Sequence, residues 1–326
     1  MSLTVDNLLR ASETNAGLEE FSKFDGNFNC QNQFVIFIKP EVLMVPHPGR
    51  EEVFSLFVRR CEQFNIIAVH AATLSGPELA SRGIMDRHYG FINRMSRTAS
   101  KSVSVEDRGK IAAELGLDEN ACRVLGGHEA LDLYSDLNAE RLDKVWATKK
   151  SKRLRSGYYY EQYTIAGENI VLVNGFHPYQ LEHFTGLERR LIVIVCESNL
   201  PWSLLRRKFL GDTFPEKAES ASLRGTLYAT SKKYGFDKVS IANNCFHMSA
   251  GPFEAAFEIV NFFGRGDSLP MLVQKSTVGR CLGDVTLRQA LANPMLALGD
   301  SKAPIFDLSE DCDAESASFL YLQKRP

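Results

Sequence analysis

Two unbroken apolar runs, residues 34–38 and 191–196, constrain the fold of this chain more than any other feature of its sequence. Both runs are rich in valine and isoleucine and contain no charged residue, which is typical of strands buried inside a sheet. Lys39 and Pro40 follow the first run, and a proline ends the hydrogen-bonded pairing of a strand. Neither run is long enough to cross a bilayer. The sequence therefore predicts a globular protein built around buried strands.

The segments around these runs alternate between helix and strand patterns. Residues 50–64 carry apolar side chains at positions 53, 54, 57, 61 and 64, which is the spacing of a helix with one buried face. Further strands are predicted at 66–72 and 239–246, and further helices at 78–89, at 201–210 and from Pro252 onward. This order predicts an α+β fold: a ferredoxin-like βαββαβ antiparallel sheet with helices on one face, plus an inserted subdomain.

Changes in sequence character divide the chain into successive parts. The inserted part begins with serine, threonine and charge, and it contains two strand-like segments, 158–165 and 170–173, that we expect to pair as a hairpin. The predicted parts are an N-terminal arm (1–32), a core (33–94 and 187–265), an inserted subdomain (95–186) and a C-terminal extension (266–326).

The composition excludes several classes of function. Charged residues make up 24% of the 326 residues and the formal net charge is -2, so no global charge attracts nucleic acid or an anionic membrane. The seven cysteines are widely spaced without a CxxC pair, which argues against a disulfide framework and a structural zinc site. No apolar segment of signal-peptide length follows Met1. We therefore expect a cytoplasmic protein without metal ligands of its own, a membrane span or a nucleic-acid partner.

A histidine near the end of the fourth predicted strand is the strongest candidate for chemistry. Asn244, His247 and Ser249 lie close together in the sequence, and the following helix carries Ala255 and Glu258. A neutral histidine is a competent nucleophile near neutral pH, and a carboxylate can orient its ring and stabilise its cationic form. The alternative is a histidine with a purely structural role at a strand end, which is the more frequent case for a lone histidine.

Basic and hydroxyl side chains form a second candidate cluster. Arg207, Thr213 and Arg224 lie near a predicted helix end and turn, and Lys39 follows the first strand. Two guanidinium groups and a hydroxyl in such a place can bracket phosphate oxygens. The alternative is a solvated basic face, since Arg207 stands in a run of consecutive basic residues.

Taken together, these motifs resemble those of the nucleoside diphosphate kinase family. The family begins with an apolar strand running into Lys-Pro, as residues 34–40 do here. Its middle motif has an Arg, then Leu-Gly, an acidic residue, Thr, Pro and Arg-Gly, which match Arg207, Leu210, Gly211, Asp212, Thr213, Pro215, Arg224 and Gly225. Its active-site motif, Asn-x-x-His-x-Ser followed by Ala and Glu on a helix, matches Asn244, His247, Ser249, Ala255 and Glu258. The resemblance covers residues 33–94 and 187–265, under half of the chain.

The resemblance implies a phosphotransferase that passes the γ-phosphate of a nucleoside triphosphate to a nucleoside diphosphate through a phosphorylated His247. It implies that Glu258 holds the ring of His247 and that Tyr89 lies near it. Asn244 and Lys39 would address the sugar hydroxyls, and Mg²⁺ would bridge the β- and γ-phosphates. The residues expected to contact phosphates or ribose are Lys39, Arg207, Thr213 and Arg224. The resemblance also implies a homo-oligomer.

The sequence departs from the family's pattern after His247. The family usually has Gly-Ser-Asp-Ser there, whereas this chain has Met-Ser-Ala-Gly, so the sequence leaves the support of Glu258 unassigned. The segment between Arg224 and Asn244 is also longer than in the family. In a regular strand, moreover, Asn244 and His247 point to opposite faces, and they can serve one site only if the chain turns or bulges there. These departures keep a second hypothesis open, a nucleotide-binding or interaction module of the same fold with impaired catalysis.

Overall fold

A computed structural model describes residues 3–14, 16–23, 30–118, 123–299 and 301–325. The chain divides into two compact units, one formed by Met1–Glu78 with Leu187–Pro326 and the other by Leu79–Gly186. The second unit thus begins at Leu79, whereas the boundary expected from the sequence lies at residue 95. Within the described ranges no helix is both long and apolar enough to span a membrane.

Helices and strands are interspersed along the whole described chain. The strands are β1 (Leu18–Lys23), β2 (Asn32–Ile38), β3 (Ile67–Ser75), β4 (Arg123–Gly126), β5 (Lys152–Arg155), β6 (Tyr158–Ile165), β7 (Glu168–Val173), β8 (Arg190–Ser198), β9 (Phe246–Met248), β10 (Met295–Leu298) and β11 (Ser301–Pro304). The α-helices are α1 (Val5–Glu13), α2 (Pro40–Leu43), α3 (His47–Gln63), α4 (Gly76–Ser81), α5 (Ile84–His88), α6 (Gly90–Ser102), α7 (Val105–Leu115), α8 (Gly127–Leu133), α9 (Ala139–Trp146), α10 (His177–Thr185), α11 (Trp202–Leu204), α12 (Leu223–Ala229), α13 (Pro252–Phe263), α14 (Met271–Lys275), α15 (Thr277–Leu291), α16 (Ile305–Leu308) and α17 (Ala314–Lys324). A π-helix (Leu205–Leu210) follows α11, and short 3₁₀ turns cover Pro215–Lys217 and Ser231–Tyr234.

The first unit is built on an antiparallel sheet with the strand order β1-β3-β8-β2-β9. Every residue of β2 is buried, and so are all of β8 except Arg190 at its start. This agrees with the two unbroken apolar runs of the sequence, since such strands are covered on both faces. Helix α3 packs its buried side chains, Val53, Phe54 and Phe57 among them, into the same core.

The first residues of the chain are more ordered than the polar arm expected from the sequence. Helix α1 begins after Thr4, whose side chain accepts a hydrogen bond from the backbone N–H of Asn7, and it buries Leu8 and Ala11. Strand β1 then pairs with β3 along the sheet edge. Residues 24–29 lie outside the described ranges. The N-terminal segment therefore belongs to the first unit as an edge of its sheet.

The fourth predicted strand is shorter than expected and starts later. The sequence predicted residues 239–246, whereas β9 covers only Phe246–Met248 and pairs with β2, so that His247 lies opposite Phe37. A turn before β9 explains the difference: the N–H of Ser240 donates to the carbonyl of Asn243 at 3.1 Å, and the backbone reverses there. Within 239–246 the loop buries Val239 and Cys245 but exposes Ile241, and only Phe246 at its end belongs to a strand.

The second unit has its own four-stranded sheet, in the order β4-β7-β6-β5. Strands β6 and β7 pair antiparallel across a short turn, which confirms the hairpin predicted at 158–165 and 170–173. Strand β4, which the sequence did not indicate, pairs parallel with β7. Helices α6 and α7 cover one face through Met95, Ala99 and Ile111.

Candidate active site

His247 and Glu258 meet where β9 leads into helix α13. The Nε2 atom of His247 lies 2.6 Å from Oε1 of Glu258, and the glutamate side chain is completely buried. The other carboxylate oxygen, Oε2, accepts a hydrogen bond of 2.5 Å from Oγ of Ser249. Ser249 therefore provides the support for Glu258 that the sequence left unassigned, and the aspartate and second serine of the family pattern are not needed for it.

The ring of His247 is also fixed from the sheet side. It stacks on the ring of Phe37 with a centroid distance of 4.1 Å and an angle of 13° between the planes. Because β2 and β9 pair with these two residues opposite each other, the stacking is a cross-strand contact. The histidine side chain keeps 18% of its surface exposed, so one edge of the ring remains reachable.

The surroundings of His247 favour a neutral imidazole. Burial, together with the positive charges of Lys39, Arg224 and Arg206, holds the pKa of His247 well below its usual range. A carboxylate at Glu258 accepts hydrogen bonds only, so Nε2 carries the proton of the neutral ring. In that tautomer Nδ1 carries the lone pair, which is the electronic arrangement of a nucleophile.

Two of the cations beside His247 are themselves buried. The Nζ atom of Lys39 donates to the carbonyl of Ala242 at 3.4 Å, and burial lowers the pKa of this lysine. Arg224 donates from Nη1 to the carbonyl of Gly211 at 3.1 Å and from Nη2 to the carbonyl of Phe246 at 2.9 Å. Arg224 therefore links the turn at Gly211 to the strand that carries His247.

A tight turn at Cys245 takes Asn244 out of the strand that carries His247. Cys245 has φ 68, and the N–H of Phe246 donates to the carbonyl of Asn244 at 2.8 Å. The turn is held by its neighbours, since the N–H of Cys245 donates to Oε1 of Glu41 at 2.8 Å. The N–H of Lys39 donates in turn to the carbonyl of Cys245 at 2.9 Å. Asn244 therefore lies outside β9, and the alternation of a strand does not apply to it.

The side chain of Asn244 carries an unsatisfied acceptor. Only 3% of the residue is exposed, and its buried Oδ1 has no hydrogen-bond partner within the part of the chain that is described. Leaving a buried acceptor unpaired costs about 1–3 kcal/mol. A hydroxyl or amine donor of a bound molecule would remove that cost.

Among the described residues, Arg207 and Thr213 make none of these contacts. The side chain of Arg207 is 71% exposed, and its Nε lies 3.5 Å from Oε1 of Glu219. Thr213 is exposed in the bend between the π-helix and the next 3₁₀ turn. Tyr89 belongs to the second unit, where its ring makes an edge contact with His177 at 5.9 Å and a tilted one with Phe184 at 6.1 Å.

Arg206 is a site residue that the sequence did not single out. Its side chain is 22% exposed, and its Nη1 donates to the carbonyl of Met248 at 3.3 Å, directly after His247. The π-helix explains why sequence periodicity could not choose between Arg206 and Arg207, because a wider turn changes which residue of a run faces the sheet. The basic run itself was the only signal.

A second carboxyl group of α13 lies on the same side of the helix as Glu258. Oε2 of Glu254 accepts a hydrogen bond of 2.7 Å from the N–H of Ala250. Burial and the nearby charge of Glu258 raise the pKa of Glu254 to about 8. Glu254 is therefore protonated at neutral pH, so that a single full negative charge, on Glu258, faces His247 from this helix.

Together these groups form a site suited to a phosphorylated ligand. A neutral imidazole with a lone pair is held by a carboxylate, and buried cations stand beside it. Guanidinium and ammonium groups bind phosphate oxygens.

No family model matches this chain, and no curated protein matches it. Solved structures similar at low levels include three nucleoside diphosphate kinases. Apo nucleoside diphosphate kinase from Encephalitozoon cuniculi has 14% identity and a TM-score of 0.36, over 74% of this chain and 95% of that one. An NDP kinase from Pyrobaculum aerophilum has 18% identity and a TM-score of 0.35, over 73% and 98% of the two chains. The Borrelia burgdorferi nucleoside-diphosphate kinase with bound vanadate and ADP has 16% identity and a TM-score of 0.33, over 73% and 90%. Similarities of this size do not assign an activity, which has to come from the site itself.

Proposed function

We propose that this chain is a nucleoside diphosphate kinase that carries the transferred phosphoryl group on His247. The observation that carries the proposal is the contact between Nε2 of His247 and the buried carboxylate of Glu258, in surroundings where burial and the charges of Lys39 and Arg224 lower the pKa of the histidine. A histidine with a purely structural role has no need of buried cations that disfavour its charged form. The proposal includes a ferredoxin-like βαββαβ core made of β2, β3, β8 and β9, and assembly as a homo-oligomer.

The chain's own residues supply the parts of a two-step exchange. In the first step the lone pair of Nδ1 attacks the γ-phosphorus, a nitrogen–phosphorus bond forms, and the bond to the β-phosphate oxygen breaks so that the diphosphate leaves with its electron pair. In the second step an oxygen of the acceptor diphosphate attacks the phosphorus, and the bond to His247 breaks. Glu258 offsets the positive charge on the ring through Nε2–H, and Lys39 and Arg224 neutralise the transferring phosphate.

The remaining polar groups fit the other parts of a nucleotide. The unpaired Oδ1 of Asn244 is an acceptor for a ribose hydroxyl, and Lys39 would approach the same sugar. Arg207 and Thr213, which are exposed, are proposed to reach the phosphates from the rim of the site. The donors around His247 are cationic and suit phosphate oxygens. Mg²⁺ would therefore be held through the nucleotide's phosphates, where it supplies charge neutralisation.

The experiment traces a radiolabelled phosphoryl group from ATP to the protein and then to a diphosphate. The protein is incubated with ATP labelled at the γ-phosphate and Mg²⁺, and then chased with an unlabelled diphosphate. We expect a label that survives alkali and is lost in acid, as phosphohistidine does, and that moves to the added diphosphate. His247→Ala should abolish both label and exchange with an unchanged thermal unfolding curve. The matched control is His47→Ala, at an exposed histidine of the same unit, which should keep full activity.

Two outcomes would overturn the proposal. Exchange by the His247→Ala variant at the wild-type rate would move the chemistry to another residue. Binding of nucleoside diphosphates without label or exchange in the wild type would instead support the alternative, a nucleotide-binding module with impaired catalysis.

A further inference from the structure

The C-terminal extension reaches the turn that joins β9 to α13. The N–H of Asp311 donates to the carbonyl of Ala250 at 2.9 Å. The two backbones approach so closely that a Cβ atom on Gly251 would lie 2.4 Å from the carbonyl oxygen of Ser309. Gly251 is the N-cap of α13, the helix that carries Glu258. The extension therefore touches the short connection between the two members of the histidine–glutamate pair.

Arg206 ties the same extension to the other side of that connection. Its Nη2 lies 3.1 Å from Oε1 of Glu310, and its Nε lies 3.4 Å from Oδ1 of Asp311. Its Nη1 donates to the carbonyl of Met248. The planar fork of a guanidinium can hold several acceptors in one fixed geometry, which a lysine cannot do. Arg206 thus joins β9 to the extension next to His247.

These contacts act on residues whose spacing matters for chemistry. His247 and Glu258 stand 2.6 Å apart but come from different elements, so their distance depends on the connecting turn. Two hydrogen bonds at Ala250 hold this turn. Glu254 accepts one from the N–H of Ala250, and the N–H of Asp311 donates the other to the carbonyl of Ala250. A shift of about 1 Å in a catalytic geometry can lower a rate about a hundredfold.

We propose that Arg206, Glu310 and Asp311 form a clamp that positions His247 against Glu258. The three residues are positioning residues, because their contacts are to the strand and turn that hold the pair. The expected effect of the clamp on the exchange rate rests on the proposed function. Its expected effect on the protonation of His247 does not depend on that function. The two carboxylates also partly neutralise the charge of Arg206. The clamp therefore affects both the position of the imidazole and the positive charge near it.

The test separates the charge of the clamp from its geometry. His247 is followed by NMR titration of its ring in the full chain, and exchange is measured on the same samples. Arg206→Met removes a positive charge that lowers the pKa of His247, so the titration midpoint should move up. The double variant Glu310→Gln with Asp311→Asn leaves Arg206 less neutralised, so the midpoint should move down. Exchange should fall about tenfold to a hundredfold in both.

Arg206→Lys is the conservative variant. Lysine keeps the positive charge but lacks the several fixed N–H donors of a guanidinium group. We therefore expect a titration midpoint of His247 close to that of the wild type, together with slower exchange. Lys208→Met, at an exposed neighbour that pairs with Glu219, is the matched control and should change neither quantity.

The possible results point in different directions. Wild-type titration and wild-type exchange in both the Arg206→Met protein and the double variant would overturn the clamp. Slower exchange without any shift in the titration of these variants would reduce Arg206 to a general structural role, and would overturn it as well. If the wild-type protein shows no exchange, the proposed function fails, and opposite shifts of the His247 midpoint still establish the effect of the clamp on the charge that the imidazole experiences. If the Arg206→Met protein does not fold, the Arg206→Lys variant and the double variant are used to test the clamp in its place.

Discussion

Oε1 of Glu258 lies 2.6 Å from Nε2 of His247, and the carboxylate that makes this contact has no exposed surface. A buried carboxylate is costly unless both of its oxygens are satisfied. Here Ser249 donates to the second oxygen and also accepts the N–H of Val35 at 2.9 Å. The serine therefore connects the glutamate to the central strand β2.

Ser249→Ala should weaken this connection. A hydrogen bond to a charged group contributes about 1.5–3 kcal/mol, so a loss of that size in the transition state slows exchange about tenfold to a hundredfold. The measurement is the exchange rate alongside urea unfolding. Ser318→Ala, at a buried serine of α17 that donates to the carbonyl of Ala314, is the control and should keep the wild-type rate. An unchanged rate in Ser249→Ala would mean that the serine supports the fold alone.

The loss of activity on the acid side of the pH–rate profile should occur at an unusually low pH. Because the pKa of His247 is held well below 6.5, the imidazole is already neutral at pH 6.5, and lowering the pH from 8 to 6.5 should leave kcat/KM unchanged. Activity should fall only at lower pH, where the ring gains a proton and Nδ1 loses its lone pair. A profile that is already half lost at pH 6.5 or above would contradict this assignment.

Glu254 should make stability depend on pH with a definite sign. Its pKa is about 8 in the folded state against an ordinary value of 4.5, so between these two values the folded state holds a proton that the unfolded state has lost. The free energy of unfolding should therefore decrease as the pH rises through this window. Glu254→Gln keeps an acceptor for the N–H of Ala250 and should flatten that dependence. His247 contributes with the opposite sign below pH 6.5, so the difference between variant and wild type isolates Glu254.

The exposed Glu315 of α17 provides a control for that experiment. Glu315→Gln removes a carboxylate from the surface and should leave the slope of stability with pH as it is in the wild type. If Glu254→Gln retains the wild-type slope as well, Glu254 is ionised in the folded protein.

Arg224 and Arg207 should differ in what they contribute to folding. Arg224→Met leaves the carbonyls of Gly211 and Phe246 without their donor, which costs about 2–4 kcal/mol of unfolding free energy. Arg207→Met removes an exposed side chain and should cost less than about 0.5 kcal/mol. Urea denaturation measures both. Equal losses would contradict the different burial of the two guanidinium groups.

The turn at Cys245 should reject a β-branched side chain. With φ 68 this residue is in the left-handed region, where valine is strongly disfavoured, so Cys245→Val should destabilise the protein by about 2 kcal/mol or more. Cys61→Val, in the regular helix α3, is the matched control at another buried cysteine and should cost less than about 1.5 kcal/mol. Thermal unfolding gives both values. Similar losses at the two positions would mean that the turn is not strained.

The parts of this molecule that the sequence predicted are those governed by apolar periodicity. Strands β2, β3 and β8 and helices α3 and α13 follow from runs and stripes of apolar residues, since burial sets both the pattern and the element. The proximity of His247 and Glu258 followed from a resemblance in spacing, because a strand end and the next helix stay close for any short connection.

The features that the sequence could not give depend on tertiary contacts. Nothing in the local pattern distinguishes Arg206 from Arg207, because the choice is made by a π-helical turn. The turn directly before β9 is held in part by Glu41, which lies far away in the sequence and accepts a hydrogen bond from the N–H of Cys245. The C-terminal contacts to Arg206 likewise join residues that no sequence motif connects.

The turn at Cys245 also separates the loop before it from the chemistry after it. The face of the sheet to which each side chain of β9 points is fixed by the position of this turn. Glu41 and the backbone of Lys39 hold the turn in place. Residues added or removed in the loop between α12 and Asn244 therefore do not rotate the imidazole of His247 to the other face of the sheet. Lengthening such a loop costs little in chain entropy. The exposed residues Asp237 and Lys238 of this loop are thus a place where the chain can change length, accept an inserted peptide or acquire a new surface, whereas Ala242, whose carbonyl accepts a hydrogen bond from Lys39, has to stay in position.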